Sequence, residues 1–488
     1  MRLTLAGLIL MNLLACFAAA DEIEPPQNPF LADSPWPITH ANSYAQGSSS
    51  LPGLQRSNNV QFDFLKSEPV AITLVYGQLD QYNKRAIWSN TLKHIYKIDA
   101  NGKRWCYADR QDRRQSMKDG MSGAYSLIDK DGIFFVPRSG IVEAYTDECP
   151  NNSLSGIRKV GEFSLPGCAP QATEELIVGM NMTYDGWLAL VTDQGRVGVV
   201  SRDLRQSRFI RLNNGCETVS NSLAADEDGG IYVVTSKHVY RVQWDGATLQ
   251  TLWSVPYKSA DHTITGRLGL GSGTTPTLMG VAGQDKFVVI GDGQELMHMV
   301  LIWRDQIPAD WTPLPGCHPR VAAEVPVTFG QCNTRKSSTE QSVLVSGYGA
   351  VVVSNLYGQR RVRQRSRDFA DRVRIAISNK DQVAPHGVEK FTWNPDTRQL
   401  ESTWANRCVS CPNAIPSMSR ASQMIYCIGA RDETWTLEAL DWNTGESVFF
   451  IPISKKLKYN SYYAGTQIGP NGDIVSGAFS GTMRFRNE

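Results

Sequence analysis

Histidine is the side chain that titrates closest to neutral pH, and this chain has seven of them. His40, His262 and His386 stand in loop-like sequence, where a rigid scaffold can aim an imidazole as a general acid or base. His262 comes shortly before the glycine-rich stretch Gly269-Leu270-Gly271-Ser272-Gly273, and His386 lies between Pro385 and Gly387. No HExxH, no HxH and no close histidine cluster is present, which disfavours a conventional zinc hydrolase. Oxygen ligands are better represented. Asn181, Asn221 and Thr275 fall near the starts or ends of apolar segments, as do Ser354-Asn355 and Ser417. Glu143, Glu174, Glu175 and Asp292 offer the carboxylates that a hard cation requires, so Asn181, Asn221, Thr275, Glu174 and Asp292 form a candidate Ca²⁺ ligand set. Each also has a plain structural use, as a strand-end cap or a turn residue.

Other motifs are excluded by their order. Gly269 to Thr275 lacks the GxxxxGK[ST] spacing of a phosphate loop, and its surroundings are not the strand and crossover helix of a dinucleotide fold. A close turn at a channel mouth is the expectation there. No G-x-S-x-G nucleophile elbow occurs. Nine of the ten cysteines follow the first twenty residues. Cys149 with Cys168 and Cys317 with Cys332 are the local disulfides expected, each tying off a Pro/Gly-rich excursion. Cys408-Val409-Ser410-Cys411 has CxxC spacing without a second half, so Cys408 or Cys411 is expected to pair with Cys427.

The elements that must position these residues announce themselves by repetition. A Val/Ile/Tyr-rich segment reaches a turn at Asp131-Gly132, Asp185-Gly186, Asp228-Gly229 and Asn471-Gly472, and a second such segment follows each turn. Ser222 to Ala225, the turn at Asp228-Gly229, Ile231 to Val234 and His238 to Val242 form the cleanest copy. Comparable turns lie roughly 43 to 56 residues apart, near the length of a four-stranded propeller blade. The reading is an all-β single propeller over 70–488, with seven blades expected and six or eight also fitting. The chain ends after a three-strand set, so an early strand is expected to complete the last blade and remove the open edge. Residues 21–69 are rich in proline yet carry Phe30, Trp36 and Tyr44, which predicts an extended N-terminal arm packed on the body.

Tyr240-Arg241-Val242-Gln243-Trp244-Asp245-Gly246 and Leu440-Asp441-Trp442-Asn443-Thr444-Gly445 resemble strand-then-turn phrases of the secreted β-propellers related to PQQ-like, YVTN and SMP-30 or strictosidine-synthase-like proteins. The resemblance is architectural and covers about residues 70 to 486. It implies a site at the central channel, where metal-using relatives let an ion polarise a substrate oxygen while a side chain moves a proton. Tryptophan-docking repeats of the quinoproteins are not regular here, so no quinone is expected.

Arg2, an apolar run from Leu3 to Ala15 and the small residues Ala18 to Ala20 have the layout of a secretory signal peptide over 1–20. Leu13-Leu14-Ala15-Cys16 also resembles a lipoprotein box, which would place a lipid on Cys16. A secreted or periplasmic chain is expected, with lipid anchoring as the alternative. No later stretch has the length of a membrane-crossing apolar helix. Net charge is +1 with 20% charged residues, which gives no nucleic-acid signature. The run from Arg360 to Arg367 is a solvated loop or a contact for an anionic ligand or surface. Together these features predict an exported enzyme acting on a small organic substrate in a central pocket, a metal-assisted hydrolase, lyase or isomerase. The alternative is a non-catalytic glycan-, peptide- or protein-binding propeller using loop aromatics such as Trp36, Trp187, Trp393, Trp404 and Trp435.

Overall fold

The turns that organise the sequence also organise the backbone. Gly132, Gly186, Gly229 and Gly472 all hold positive φ, between 75° and 89°, a region that costs glycine nothing and other residues strain. At Gly229 a Cβ would also lie 2.3 Å from the Trp244 carbonyl. The aspartate two residues ahead of the Asp-Gly pair closes the turn. Asp129 Oδ1 accepts from the amides of Asp131 and Ile133, both at 2.9 Å, and Asp226 Oδ1 accepts from Asp228 at 3.1 Å and Gly230 at 2.7 Å.

The protein, seen here in a computed structural model describing residues 24–56, 59–67, 73–91, 94–107, 124–167, 175–358 and 367–488, is an eight-bladed β-propeller. Blade 1 runs from the inner strand Thr73–Tyr76 to the outer strand Arg104–Tyr107, blade 2 from Leu127–Ile128 to Ile157–Ser164, and blade 3 from Ile177–Met182 to Ser207–Arg211. Blade 4 runs from Leu223–Ala225 to Leu249–Pro256, blade 5 from Thr277–Met279 to Val321–Pro326, and blade 6 from Leu344–Ser346 to Gln399–Asn406. Blade 7 spans Ser417–Ser419 to Ser447–Ser454. Blade 8 takes Ala464–Ile468, Ile474–Ala478 and Gly481–Asn487 from the C-terminus, and Val60–Lys66 as its outer strand.

The count is therefore eight rather than the seven favoured by turn spacing. Blade 1 conceals itself because its first turn, around Asp80, has no Asp-Gly pair, and blade 6 is stretched by an insertion carrying the helix Arg367–Ala376. The expected closure by an early strand is present. Val60 pairs with Asn487 and Lys66 with Gly481 in an unbroken antiparallel register. Second strands such as Phe287–Gly291 and Gly349–Val353 are buried on both faces and read as continuous apolar runs, whereas outer strands such as Ile157–Ser164 alternate.

The stretch 28–54 runs against the inner strands around the central channel. Asn28 Nδ2 donates to the Met182 carbonyl at 2.8 Å, and the Tyr76 amide donates to the Trp36 carbonyl at 2.8 Å. The carbonyls of Ser43, Tyr44, Gln46 and Gly47 then accept from Ala225, Leu278, Val345 and Met418, one inner-strand amide from each of blades 4 to 7. Ser48–Ser49 continues as a short strand parallel to Met418–Ser419. Trp36 and Tyr44 are buried against the body.

Cys411 and Cys427 form a disulfide with Cα atoms 6.1 Å apart. The expected Cys317–Cys332 pair is corrected: both are free thiols, Cys317 lying against the Glu324 carboxylate and Cys332 on the surface. Cys408 is a free, exposed thiol. Cys168, the expected partner of Cys149, is outside the described residues, as are the leader 1–20 with Cys16, residue Glu174 and most of the arginine run. Among the described residues no helix is long and apolar enough to cross a membrane.

Phe485 is buried in the closing blade, with its ring 5.0 Å from that of Phe62 on the closing strand. Replacing Phe485 with Ala should cost about 3–5 kcal/mol in urea unfolding, against less than about 0.5 kcal/mol for Val448→Ala on an exposed outer strand.

Candidate active site in the central channel

The residues leading into the inner strands converge at one end of the channel, where Thr39 and His40 of the 28–54 segment reach them. A narrow pocket is lined by Ala124 and Tyr125 ahead of blade 2, Asn221 ahead of blade 4, Leu268, Glu340 ahead of blade 6, Ile415, and Tyr463 and Gly465 at blade 8, with Thr39 from the N-terminal stretch. It is small, with room for one or two water molecules. Leu268 is an apolar part of the lining and is 44% exposed, and Leu270, two residues on, is 42% exposed.

Glu340 is the acid that lines this pocket. It is buried, its Oε2 has no hydrogen-bond partner, and the Leu268 amide faces the carboxyl. Burial pushes its pKa up to about 8, against the smaller opposing pull of the Arg267 guanidinium. Gly273 lies directly over this group: a Cβ there would be 2.5 Å from Glu340 Oε2 and 2.4 Å from the Thr339 carbonyl. The glycine-rich loop thus wraps the acid at the channel mouth. Arg267, itself buried, donates to the carbonyl of Gly271, to that of Asp292 at 2.7 Å and to Ser338 Oγ at 3.4 Å.

Three tyrosines surround the acid. Tyr125, pushed up to about 12 by burial, faces Thr275 and lies 5.5 Å from the His40 ring. The Tyr463 hydroxyl meets that of Tyr357 at 3.0 Å and donates to the Gly266 carbonyl at 3.2 Å. Tyr462 and Tyr463 have φ of 48° and 65°, a conformation strained for bulky side chains. Surrounding contacts enforce it: the Tyr462 amide donates to Asn460 Oδ1 at 2.8 Å and the Tyr463 amide to the Asn413 carbonyl at 2.7 Å. Asn413 and Asn460 are anchored in turn to the Ile375 carbonyl on the blade 6 helix.

Of the three candidate histidines, only His40 reaches this region. It is buried beside Thr39, meets Ser342 Oγ at 3.3 Å, and burial lowers its pKa to about 4, so it is neutral at physiological pH. His262 is exposed, between Asp261 at 3.1 Å and Glu295 at 3.3 Å, and His386 is exposed with Nδ1 on the Ala384 carbonyl. Neither lines the pocket. Asn221 lines it, donating to the Ser272 carbonyl at 3.3 Å, and Thr275 faces Tyr125. Asn181 is consumed by the fold: its amide donates to the carbonyls of Ser43 and Leu223 and its oxygen accepts from Met182. Glu143 and Glu175 are engaged by Lys159 and Arg196. Asp292 belongs to a different group, with His298 and Glu324, whose ligand atoms all lie within 4.8 Å of one another and could hold a metal ion. Sequence reasoning missed Glu340, Tyr125 and Tyr463. The available signal was the polar run Ser337-Ser338-Thr339-Glu340-Gln341-Ser342 immediately ahead of an inner strand.

The aromatic binding face is also corrected. Trp36, Trp393 and Trp435 are fully buried, and Trp404 Nε1 is bonded to the Trp442 carbonyl, so these rings pack the fold.

No family model matches the chain. An uncharacterized protein of Archaeoglobus fulgidus is 43% identical over 473 residues, covering 95% of this chain and 89% of that protein. The chain belongs to the family of that archaeal protein. Among solved structures, a europium-containing methanol dehydrogenase covers 93% of this chain and 97% of its own with a TM-score of 0.54 and 11% identity, a likeness in fold alone. The virginiamycin B lyase of Staphylococcus aureus is also similar, at 9% identity, 88% and 99% coverage and a TM-score of 0.43.

Between pH 4.5 and 8 the folded chain keeps the Glu340 proton that the unfolded chain releases, so this group makes stability fall as pH rises through that window. Glu340→Gln should therefore match the wild type below about pH 4.5 and melt at a higher temperature at pH 8, with the difference growing in between. Thermal melts across this range check the sign. His40 contributes in the opposite sense between pH 4 and 6.5 and cancels in the comparison.

Proposed function

We propose that the chain is an exported propeller enzyme that performs acid–base chemistry on a small oxygenated organic molecule at the channel mouth. Hydrolase, lyase or isomerase chemistry all fit. The carrying observation is the buried Glu340 Oε2 without a partner, in the lining of a pocket that exposed Leu268 also lines. A carboxylic acid kept protonated near neutral pH is a proton donor matched to its working range. Because the pocket has room for only one or two waters, the substrate inserts a single oxygen function and rests its remaining surface on exposed Leu268. Tyr125, protonated, orients that oxygen by hydrogen bonding, Tyr463 packs beside it as a wall of the pocket, and Arg267 supplies a positive field for charge developing as the proton moves.

The competing binding-module reading loses the aromatic face on which it rested, since most of those tryptophans are in the core. Burial of Glu340 and the backbone strain at Tyr462–Tyr463 both favour chemistry over passive binding.

Thermal-shift screening of small lactones, esters, hydroxy acids and sugars should yield a stabilising compound class, and compounds that bind should then be tested for turnover. Glu340→Gln should lower turnover about 10²- to 10⁴-fold while the fold survives, and Tyr125→Phe should weaken binding more than turnover. Ligands that bind equally well to wild type and Glu340→Gln, with no turnover by either, would remove the proposal.

A further inference from the structure

Away from the channel, blades 3, 4 and 5 build the same corner with different residues. The first amide of the third strand is held by the side chain that follows the second strand. Thr192 Oγ1 takes Arg196 at 3.0 Å, Thr235 Oγ1 takes His238 at 3.0 Å, and Asp292 Oδ1 takes His298 at 2.9 Å. Blades 3 and 4 thus satisfy this backbone position with a neutral hydroxyl, and blade 5 uses a carboxylate. A second replacement sits on the outer strand. Glu324 pairs with Val300 where blade 4 pairs Ser254 with Tyr240 and blade 3 pairs Phe209 with Gly198. Blades 3 and 4 bring one buried acid to this corner from the preceding loop, Glu175 on Thr192 and Arg196 and Glu217 on Thr235 and His238, whereas blade 5 carries its acid on the corner itself and adds a second, Glu324, from the outer strand, so that two carboxylates converge on His298.

We infer that Asp292, His298 and Glu324 form a binding site for a borderline first-row divalent cation of the Zn²⁺ class. One imidazole with two carboxylates suits such an ion better than Ca²⁺ or Mg²⁺, which take oxygen donors. Asp292 Oδ2 and His298 Nδ1 are 2.9 Å apart, close to the ~3.3 Å between neighbouring ligands of a tetrahedral ion with bonds of about 2.0 Å. The Gln294 amide nitrogen lies 2.7 Å from Asp292 Oδ2 and 3.0 Å from His298 Nδ1, so a single donor group bridges the two atoms that a cation would bridge. Gln294 is on a half-buried bend. Glu324 binds Lys258 through Oε1 and turns Oε2 toward the Cys317 thiol at 3.6 Å. Three protein ligands leave a fourth position open. The site also adjoins the channel through the backbone, because the Asp292 carbonyl is the acceptor for Arg267.

The full chain, dialysed against a chelator, should be titrated with Zn²⁺ by calorimetry and with Co²⁺ by visible absorption. One equivalent should bind with a dissociation constant of about 10 μM or tighter, unaffected by millimolar Mg²⁺ or Ca²⁺. His298→Ala and Glu324→Gln should each weaken binding at least tenfold, while His238→Ala, at the equivalent corner of blade 4, should leave it unchanged. Glu324→Gln lies on an outer strand and keeps the test available where His298→Ala compromises folding. Wild-type binding in both variants, or no binding by the wild type, would overturn the assignment.

Discussion

Every inner strand of a propeller presents amides to a channel in which there is no further strand to receive them, and buried amides without acceptors are not tolerated. In this chain the carbonyls of Ser43, Tyr44, Gln46 and Gly47 meet inner-strand amides of four successive blades, and Ser48–Ser49 pairs with blade 7. The same N-terminal stretch then supplies Val60–Lys66, which closes blade 8. One contiguous segment therefore satisfies the axis and seals the seam. The eight sheets are held as a ring because no sheet edge is left to pair elsewhere at that seam.

This arrangement gives the channel a direction. With 28–54 filling the axis, side chains that could act on a ligand gather where the residues ahead of the inner strands meet Thr39 and His40 of that segment. The polar groups there are kept uncharged by burial: Glu340 with its pKa raised to about 8, Tyr125 to about 12, His40 lowered to about 4. Arg267 is the exception, a buried cation satisfied by carbonyls and tied by one of them to the blade 5 corner. The strained pair Tyr462–Tyr463 is held by Asn413 and Asn460, themselves fixed by the helix inserted in blade 6. An insertion that contributes nothing to the propeller ring thus determines the shape of its mouth.

Much of the fold was legible because turn chemistry is local. Asp-x-Asp-Gly sets a positive-φ glycine and an aspartate cap within five residues, so 129–133 and 226–230 could be read without knowing their neighbours. The blade count was less legible, since blade 1 turns without that signature and blade 6 contains an insertion. The site was hardest to read. His262 and His386 have loop surroundings in sequence but stand exposed, whereas His40 packs beside the pocket from a stretch rich in proline. Asn181 has the residue type of a ligand, yet its amide donates to backbone groups of the arm and blade 4 and its oxygen accepts from the Met182 amide of its own strand. Glu340 looked like one polar residue in a run of six.

By itself the sequence determined the all-β repeat, the closure of its last blade by an early strand and the glycine-bearing turns, because each follows from interactions among near neighbours or from the need to leave no edge. Tertiary structure alone decided which oxygen would be left without a partner. Whether Glu340 is solvated or buried depends on Gly273, Leu268, Arg267 and Tyr463, residues as much as 123 positions away that meet it only after the ring has closed. Desolvation is a property of that assembled surround, and no spacing along the chain encodes it.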